Sequence, residues 1–179
     1  MPHCLPWYIA GPLIGLTMPV QLLLAVVIVV GTHSPATAQS PLTARQLSEY
    51  PLTPAAFKKF AHATRLMIAA TRDEPRFVDR PLFSKAIFVS GDAPEMAAAL
   101  QQRLDSDPLL ATALFAADMS ARDYTKFALA LVAARLAQGF VKSGVMRGVP
   151  AGIAESNVRF IDGHEKDVSS LLKEMGLPD

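Results

Sequence analysis

The side chains best suited to hold a metal ion or move a proton are two histidines far apart in the chain. One is His62, and the other is His164, which lies in the run DGHEKD close to Asp162. Imidazole and carboxylate groups are common ligands of Zn²⁺ in proteins. One hypothesis is therefore a metal-dependent or hydrolytic enzyme whose metal site joins His62, His164 and Asp162 across two helices. The alternative interpretation is an acidic, solvated helix face with two surface histidines.

Arg135 is the second candidate, because it lies within the alanine-rich run SARDYTKFALALVAARLAQGFVKSG at residues 120–144. A buried charge without a partner is very costly. An inward Arg135 would therefore need an acidic partner or the carboxylate of a ligand, and we take it as the candidate ligand-binding residue. In the alternative, its stem follows a polar strip with Gln138 and Lys142, and the guanidinium reaches solvent.

Common catalytic and nucleotide-binding motifs are absent from the sequence. It contains no GxGxxG, Walker loop, HExxH, GxSxG or EF-hand loop, and we predict no cofactor. The only cysteine is Cys4, and the 17 basic and 16 acidic residues give no basic surface for nucleic acid. The leading hypothesis is therefore a non-enzymatic envelope protein that binds a protein partner or a small apolar ligand.

The N-terminal region predicts export. Residues 9–31 are apolar apart from Thr17 and Gln21, and Ala36-Thr37-Ala38 follows. An apolar core followed by Ala-x-Ala is typical of a secretory signal peptide. Cleavage after Ala38 would make Gln39 the first mature residue and would place the protein in the periplasm or outside the cell.

Two alternatives to this interpretation stay open. Residues 9–31 are long enough to cross a bilayer, so an uncleaved leader would anchor a structural protein in the inner membrane. Contact with a membrane would then run only through that stretch. No Lys or Arg precedes Arg45, which is unusual for a signal peptide, and translation starting at Met18 instead of Met1 is a further alternative.

Hydrophobic periodicity predicts an all-α fold. We expect a compact bundle of four or five helices around a central helix at 120–143, behind the signal peptide at 1–38 and a tether at 39–52, in which Thr43 can cap a short helix at 44–49. Within the helical domain, 53–179, the other predicted elements are a helix at 53–71, a hairpin of short helices at 92–117 and a last helix at 156–175. Residues 83–89 are predicted to form an extended or irregular segment that lies on the helices.

The central helix is predicted to be buried on most sides. Ser120 is its expected N-cap, with Asp123 completing an approximate capping box, and Gly144 is expected to end it. Its apolar residues fall into two rows. The first row is Phe127, Leu131, Ala134 and Val141, and the second is Leu129, Ala133, Leu136 and Phe140.

Three segments resemble small exported helical proteins of unassigned activity in Gram-negative bacteria. They are LTPAAFKKFAHATR at 52–65, SARDYTKFALAL at 120–131 and SNVRFIDGH at 156–164. These segments are helix starts and core faces. The resemblance implies a helical fold and export, and it carries over no functional residue.

Overall fold

The computed structural model describes residues 41–78 and 92–177, which belong to one compact unit, Gln39–Asp179. These ranges contain helices and no strand, so the all-α prediction is confirmed. The helices are α1 (Ala44–Ser48), α2 (Pro54–Thr71), α3 (Pro75–Val78), α4 (Ala93–Ser106), α5 (Pro108–Ala116), α6 (Ala121–Lys142), α7 (Glu155–Gly163) and α8 (Glu165–Glu174). The predicted leader, its cleavage residues and the predicted irregular segment 83–89 lie outside the described residues.

The long helix α6 begins and ends where the sequence predicts. Ser120 Oγ accepts a hydrogen bond from Asp123 N at 3.0 Å and donates one to Asp123 Oδ2 at 2.8 Å. The short Asp side chain therefore binds the cap hydroxyl, whereas the Glu of a standard capping box binds the cap backbone N–H. Gly144 follows the helix with a left-handed φ of 74°. No helix within 41–78 or 92–177 combines the length and the apolar character needed to cross a membrane.

The first apolar row of α6 packs into an aromatic core against α2. The Phe60 ring lies between those of Tyr124 and Phe127, with centroids 4.6 and 4.7 Å away. All three side chains are fully buried. The Tyr124 hydroxyl shares a 2.9 Å hydrogen bond with Thr64 Oγ1, and burial raises the pKa of Tyr124 well above its ordinary value. This phenol therefore stays neutral and acts as part of the core.

The predicted hairpin at 92–117 is formed by α4 and α5. Asp107 joins the two helices, and its Oδ1 accepts a hydrogen bond from Leu109 N at 2.9 Å. Pro108 occupies the first turn of α5. A backbone N–H at this position has no partner within the helix, so proline, which lacks one, costs no hydrogen bond there. Helix α5 packs on α2 and α4 packs on α6, so the hairpin covers two neighbouring helices.

The prediction of one continuous helix at 156–175 was wrong. Helix α7 ends at Gly163, and His164 separates it from α8 with a non-helical φ of −126° and ψ of 23°. Glycine weakens a helix by about 1 kcal/mol relative to alanine, which makes this the weakest point of the pattern. Ile161 and Val168, on either side of the break, are both fully buried.

Residues 41–52 pack against the helical domain, although the sequence suggests a tether. The leucines of this segment, Leu42, Leu47 and Leu52, are all buried. Asn157 of α7 fixes its end, because Oδ1 accepts from Leu52 N and Nδ2 donates to Tyr50 O, both at 2.9 Å. The segment therefore forms one wall of the fold.

Candidate functional site

An open apolar groove lies between α1, the start of α4 and the middle of α6. Its volume is about 420 Å³. Of the described residues that line it, Arg45 is the one charged side chain. The lining residues are Ala44, Arg45, Leu47, Ser48, Ala93, Met96, Leu129, Val132, Ala133, Leu136 and Gly152. The groove is thus a concave, nearly all-apolar surface, which is the usual chemistry of a small-molecule site.

Local sequence signals hold the walls of this groove in place. Thr43 caps α1 with a complete capping box, in which Thr43 Oγ1 accepts from Gln46 N and Gln46 Oε1 accepts from Thr43 N. Leu47 and Leu129 then belong to a small apolar cluster with Leu42 and Ala97, apart from the aromatic core. This cluster fastens the short helix α1 to α4 and α6.

The second apolar row of α6 continues beyond the groove into solvent. Leu136 is 55% exposed and Phe140 is 46% exposed. Past the helix end, Met146 N donates a hydrogen bond to Phe140 O at 3.1 Å, which folds the following loop back onto the helix. Val145 and Met146 are exposed beside it. We call Leu136, Phe140, Val145 and Met146 the α6 patch. Leu136 also lines the groove, so the two surfaces are continuous.

A buried hydroxyl lies on the groove side of the same helix row. Thr125 precedes Leu129 by one helical turn and is fully buried. Its Oγ1 has no hydrogen-bond partner among the described residues. A buried polar group without a partner costs stability.

Arg135 lies outside the groove and binds residues of its own chain. Arg135 Nη1 is 3.4 Å from Glu165 Oε1 and also donates to Gln138 Oε1. Gln138, itself buried, donates to Asp162, and Lys142 Nζ lies 3.0 Å from Glu165 Oε2. The acidic partner that an inward Arg135 requires is therefore supplied by α8.

The positive charges in this network favour the ionised form of the Glu165 carboxylate. The hydrogen bond from Lys142 lowers the pKa of Glu165, and Arg135 lowers it further. The polar strip predicted on α6 thus joins α6 to the junction of α7 and α8.

The structure does not bring the three predicted metal ligands together. His62 lines a shallow cleft between α2 and α8 with Lys58, Arg65, Asp167 and Ser170 among its neighbours. The His164 ring stacks on Phe160 with centroids 4.3 Å apart, and its Nδ1 lies 3.0 Å from Phe160 O. Asp162 binds Gln138. Within 41–78 and 92–177, no three His, Cys, Asp or Glu side chains are grouped so that they could hold a metal ion.

Sequence reasoning missed the groove, because it placed the short helix capped by Thr43 within a tether. The signal that pointed to packing is the recurrence of leucine at positions 42, 47 and 52, which a tether does not need. The second row of α6 was recognised as apolar, but it was expected to be covered along its whole length.

No protein-family model matches the chain, and neither a curated protein nor a solved structure matches it. What the protein binds must therefore be inferred from the shape and chemistry of its own surfaces.

Proposed function

We propose that the protein is an exported, non-enzymatic binding protein of the cell envelope that takes a small apolar ligand into the groove. The observation that carries this proposal is the groove itself, about 420 Å³ in volume and lined almost entirely by apolar side chains. Sites for small molecules have volumes of roughly 300–1,000 Å³ and the same apolar lining. Export is inferred from residues 9–31 and the Ala-x-Ala sequence that follows them.

The groove owes its space to small side chains. Ala44 of α1, Ala93 of α4 and Ala133 of α6 face it from three helices. Larger residues at these positions would fill the volume, whereas alanine leaves room and still presents an apolar surface. Leu129 is buried at the contact with α1 and supplies a firm apolar wall. The groove is therefore largely formed before any ligand arrives.

The chemistry of the groove indicates the class of ligand. An apolar body can bury its surface against Met96, Val132 and Leu136. Arg45 and Ser48 are the polar lining groups, and the guanidinium of Arg45 pairs with Glu49 at 2.9 Å. The best fit is a compact apolar molecule or short acyl segment with little charge, because a charged body would lose its hydration without gaining partners.

A fluorescent apolar probe tests this proposal. We expect N-phenyl-1-naphthylamine to bind purified Gln39–Asp179 saturably, with increased fluorescence. This unit contains the whole described core. Ala133→Trp places an indole in the groove and should weaken binding about tenfold or more, because the probe loses its buried contacts.

Ala70→Trp is the matched control, since Ala70 is exposed at the end of α2 and does not line the groove. It should bind the probe like the unchanged protein. If the probe shows no saturable binding, or if Ala133→Trp binds as well as Ala70→Trp does, the groove is not a ligand site.

Export has its own test, the intact mass of the protein recovered from a Gram-negative host. We expect the periplasmic fraction to contain a chain that begins at Gln39. A full-length chain confined to the inner membrane would instead support the anchored structural protein. A membrane-bound chain beginning at Met18 would support the anchor and the later start together.

A further inference from the structure

The α6 patch leaves large apolar side chains in water at the end of the longest helix. Phe140 is 46% exposed and Val145 is 73% exposed. The left-handed Gly144 and the hydrogen bond from Met146 N to Phe140 O hold the loop so that Val145 and Met146 lie beside the helix end. Large apolar side chains exposed close together in the chain mark a candidate interaction surface.

The loop that carries half of the patch, residues 143–154, has Arg147 as its one charged residue. Among the described residues, no carboxylate pairs with Arg147, whereas Lys142 is already paired with Glu165 and Asp162. The partner that complements this surface is therefore apolar in its centre and negatively charged at its rim.

We propose that the α6 patch docks the domain onto the surface of a lipid bilayer that contains anionic lipid. The patch residues, among them Phe140 and Val145, would enter the boundary between headgroups and acyl chains, as the apolar faces of interfacial helices do. Arg147 would reach the lipid phosphates, since a long basic side chain can keep its stem in the apolar layer and its charge at the interface.

A second copy of the chain fits this surface less well. A two-fold interface would place the α6 patch of one copy against the same patch of the other. Each Arg147 would then meet a surface whose loop, 143–154, has no acidic residue. An anionic bilayer supplies the missing negative charge. The apolar stretch 9–31 is also predicted to bring every copy of this chain to a membrane during export.

Docking and ligand binding are separate properties that share one residue. Leu136 belongs to both surfaces, so a docked domain would have its groove continuous with the acyl layer. The docking surface itself depends on Phe140, Val145 and Arg147, none of which lines the groove. Failure of either proposal would therefore leave the other standing.

Cosedimentation of purified Gln39–Asp179 with vesicles tests the docking. Vesicles of phosphatidylethanolamine with phosphatidylglycerol should bind the protein more tightly than vesicles of phosphatidylcholine, and added salt should weaken the difference. Phe140→Ser and Val145→Asp should each lower the partition coefficient about tenfold or more, because an apolar contact is lost or a charge is buried. Arg147→Glu should remove the preference for anionic vesicles.

Phe115→Ser is the matched control, because Phe115 is 87% exposed on α5 and lies outside the patch. It should leave vesicle binding unchanged. Thermal unfolding followed by circular dichroism checks that each variant folds. If Val145→Asp does not fold, Phe140→Ser and Arg147→Glu decide the question.

Three results would overturn the proposal. One is no association of the unchanged protein with anionic vesicles at millimolar lipid. Another is an equal loss in Phe115→Ser and Phe140→Ser. The third is self-association in sedimentation velocity that Phe140→Ser abolishes while vesicle binding is absent, which would assign the patch to a second copy. Probe binding by Phe140→Ser and vesicle binding by Ala133→Trp keep this result distinct from the test of the groove.

Discussion

The two apolar rows of α6 have similar composition but are covered to different extents. Phe127, Leu131 and Ala134 in the first row are fully buried, whereas the second row is buried at Leu129 and about half exposed at Leu136 and Phe140. The difference lies in the covering helices. Helix α2 packs on the first row at Phe127, whereas α1 and α4 meet the second row at Leu129 and leave Leu136 and Phe140 exposed. An apolar row thus shows where a partner fits, and the reach of the neighbouring helices decides how much of the row the chain itself covers.

The largest expected effect compares one phenylalanine from each row. Phe127→Ala should lower the free energy of unfolding by about 3–5 kcal/mol, because it leaves a cavity among the rings of Phe57 and Phe60. Phe140→Ala should lower it by less than about 1 kcal/mol, since its side chain is half exposed. Urea denaturation of both variants measures the difference. Equal losses would mean that the second row is covered in solution.

The next effect concerns the wall that α1 gives to the groove. Asn157→Ala removes two hydrogen bonds and leaves the buried Leu52 N–H without its partner. We expect a loss of about 2 kcal/mol and faster hydrogen exchange at residues 42–52 than elsewhere. Ser156→Ala, at the exposed neighbouring position, is the control. Uniformly faster exchange across all helices would show that Asn157 supports the whole fold and has no special role at the wall.

At Thr125 we expect a smaller change, which raises the free energy of unfolding. Thr125→Val replaces a buried hydroxyl without a hydrogen-bond partner among the described residues by a methyl group of similar size. This should raise the free energy of unfolding by about 1 kcal/mol, because the cost of the unsatisfied group disappears. Thr64→Val is the comparison, since the Thr64 hydroxyl is bonded to Tyr124 and its loss should destabilise the protein. A loss of stability in Thr125→Val would reveal a partner for its hydroxyl.

The smallest effect is a change in pH dependence at the α6–α8 contact. The hydrogen bond from Lys142 lowers the pKa of Glu165 from its ordinary value of 4.5. The ionised carboxylate therefore stabilises the folded state, and this contribution is complete above pH 4.5. It is lost as the pH falls through the lower pKa of the folded state. Glu165→Gln should therefore have a lower free energy of unfolding than the unchanged protein at neutral pH, and the two values should become equal in acid. Lys142→Met should give the same profile, and the double variant should add little to either.

Much of the fold could be predicted from the sequence, because its helix ends carry strong local signals. Thr53 before Pro54, Ser120 before Asp123 and Gly144 after α6 act through contacts within a few residues. The break at His164 was harder to predict. Gly163 weakens the helix, but the local sequence does not show that Ile161 and Val168, on either side of the break, both pack into the main core.

The candidate site could be predicted less well, because it depends on long-range contacts. Leu47 and Leu129 are far apart in sequence, and neither segment carries a local signal that predicts contact with the other. The same holds for Arg135: an acidic partner was expected only if the side chain pointed inward, and the sequence did not identify Glu165 as that partner. His62 and His164 were proposed as metal ligands from their chemistry alone. In the structure His62 lines the cleft between α2 and α8, whereas the His164 ring stacks on Phe160.

The clamp at Asn157 has a mechanical consequence for the N-terminal end of the domain. A force pulling on the chain at residue 41 would first peel away Leu42 and α1, which are held by a small apolar cluster. It would then meet the two hydrogen bonds from Asn157 to Tyr50 and Leu52, directly before α2. Tension on this end would therefore separate α1 from the other walls of the groove before it reached the aromatic core.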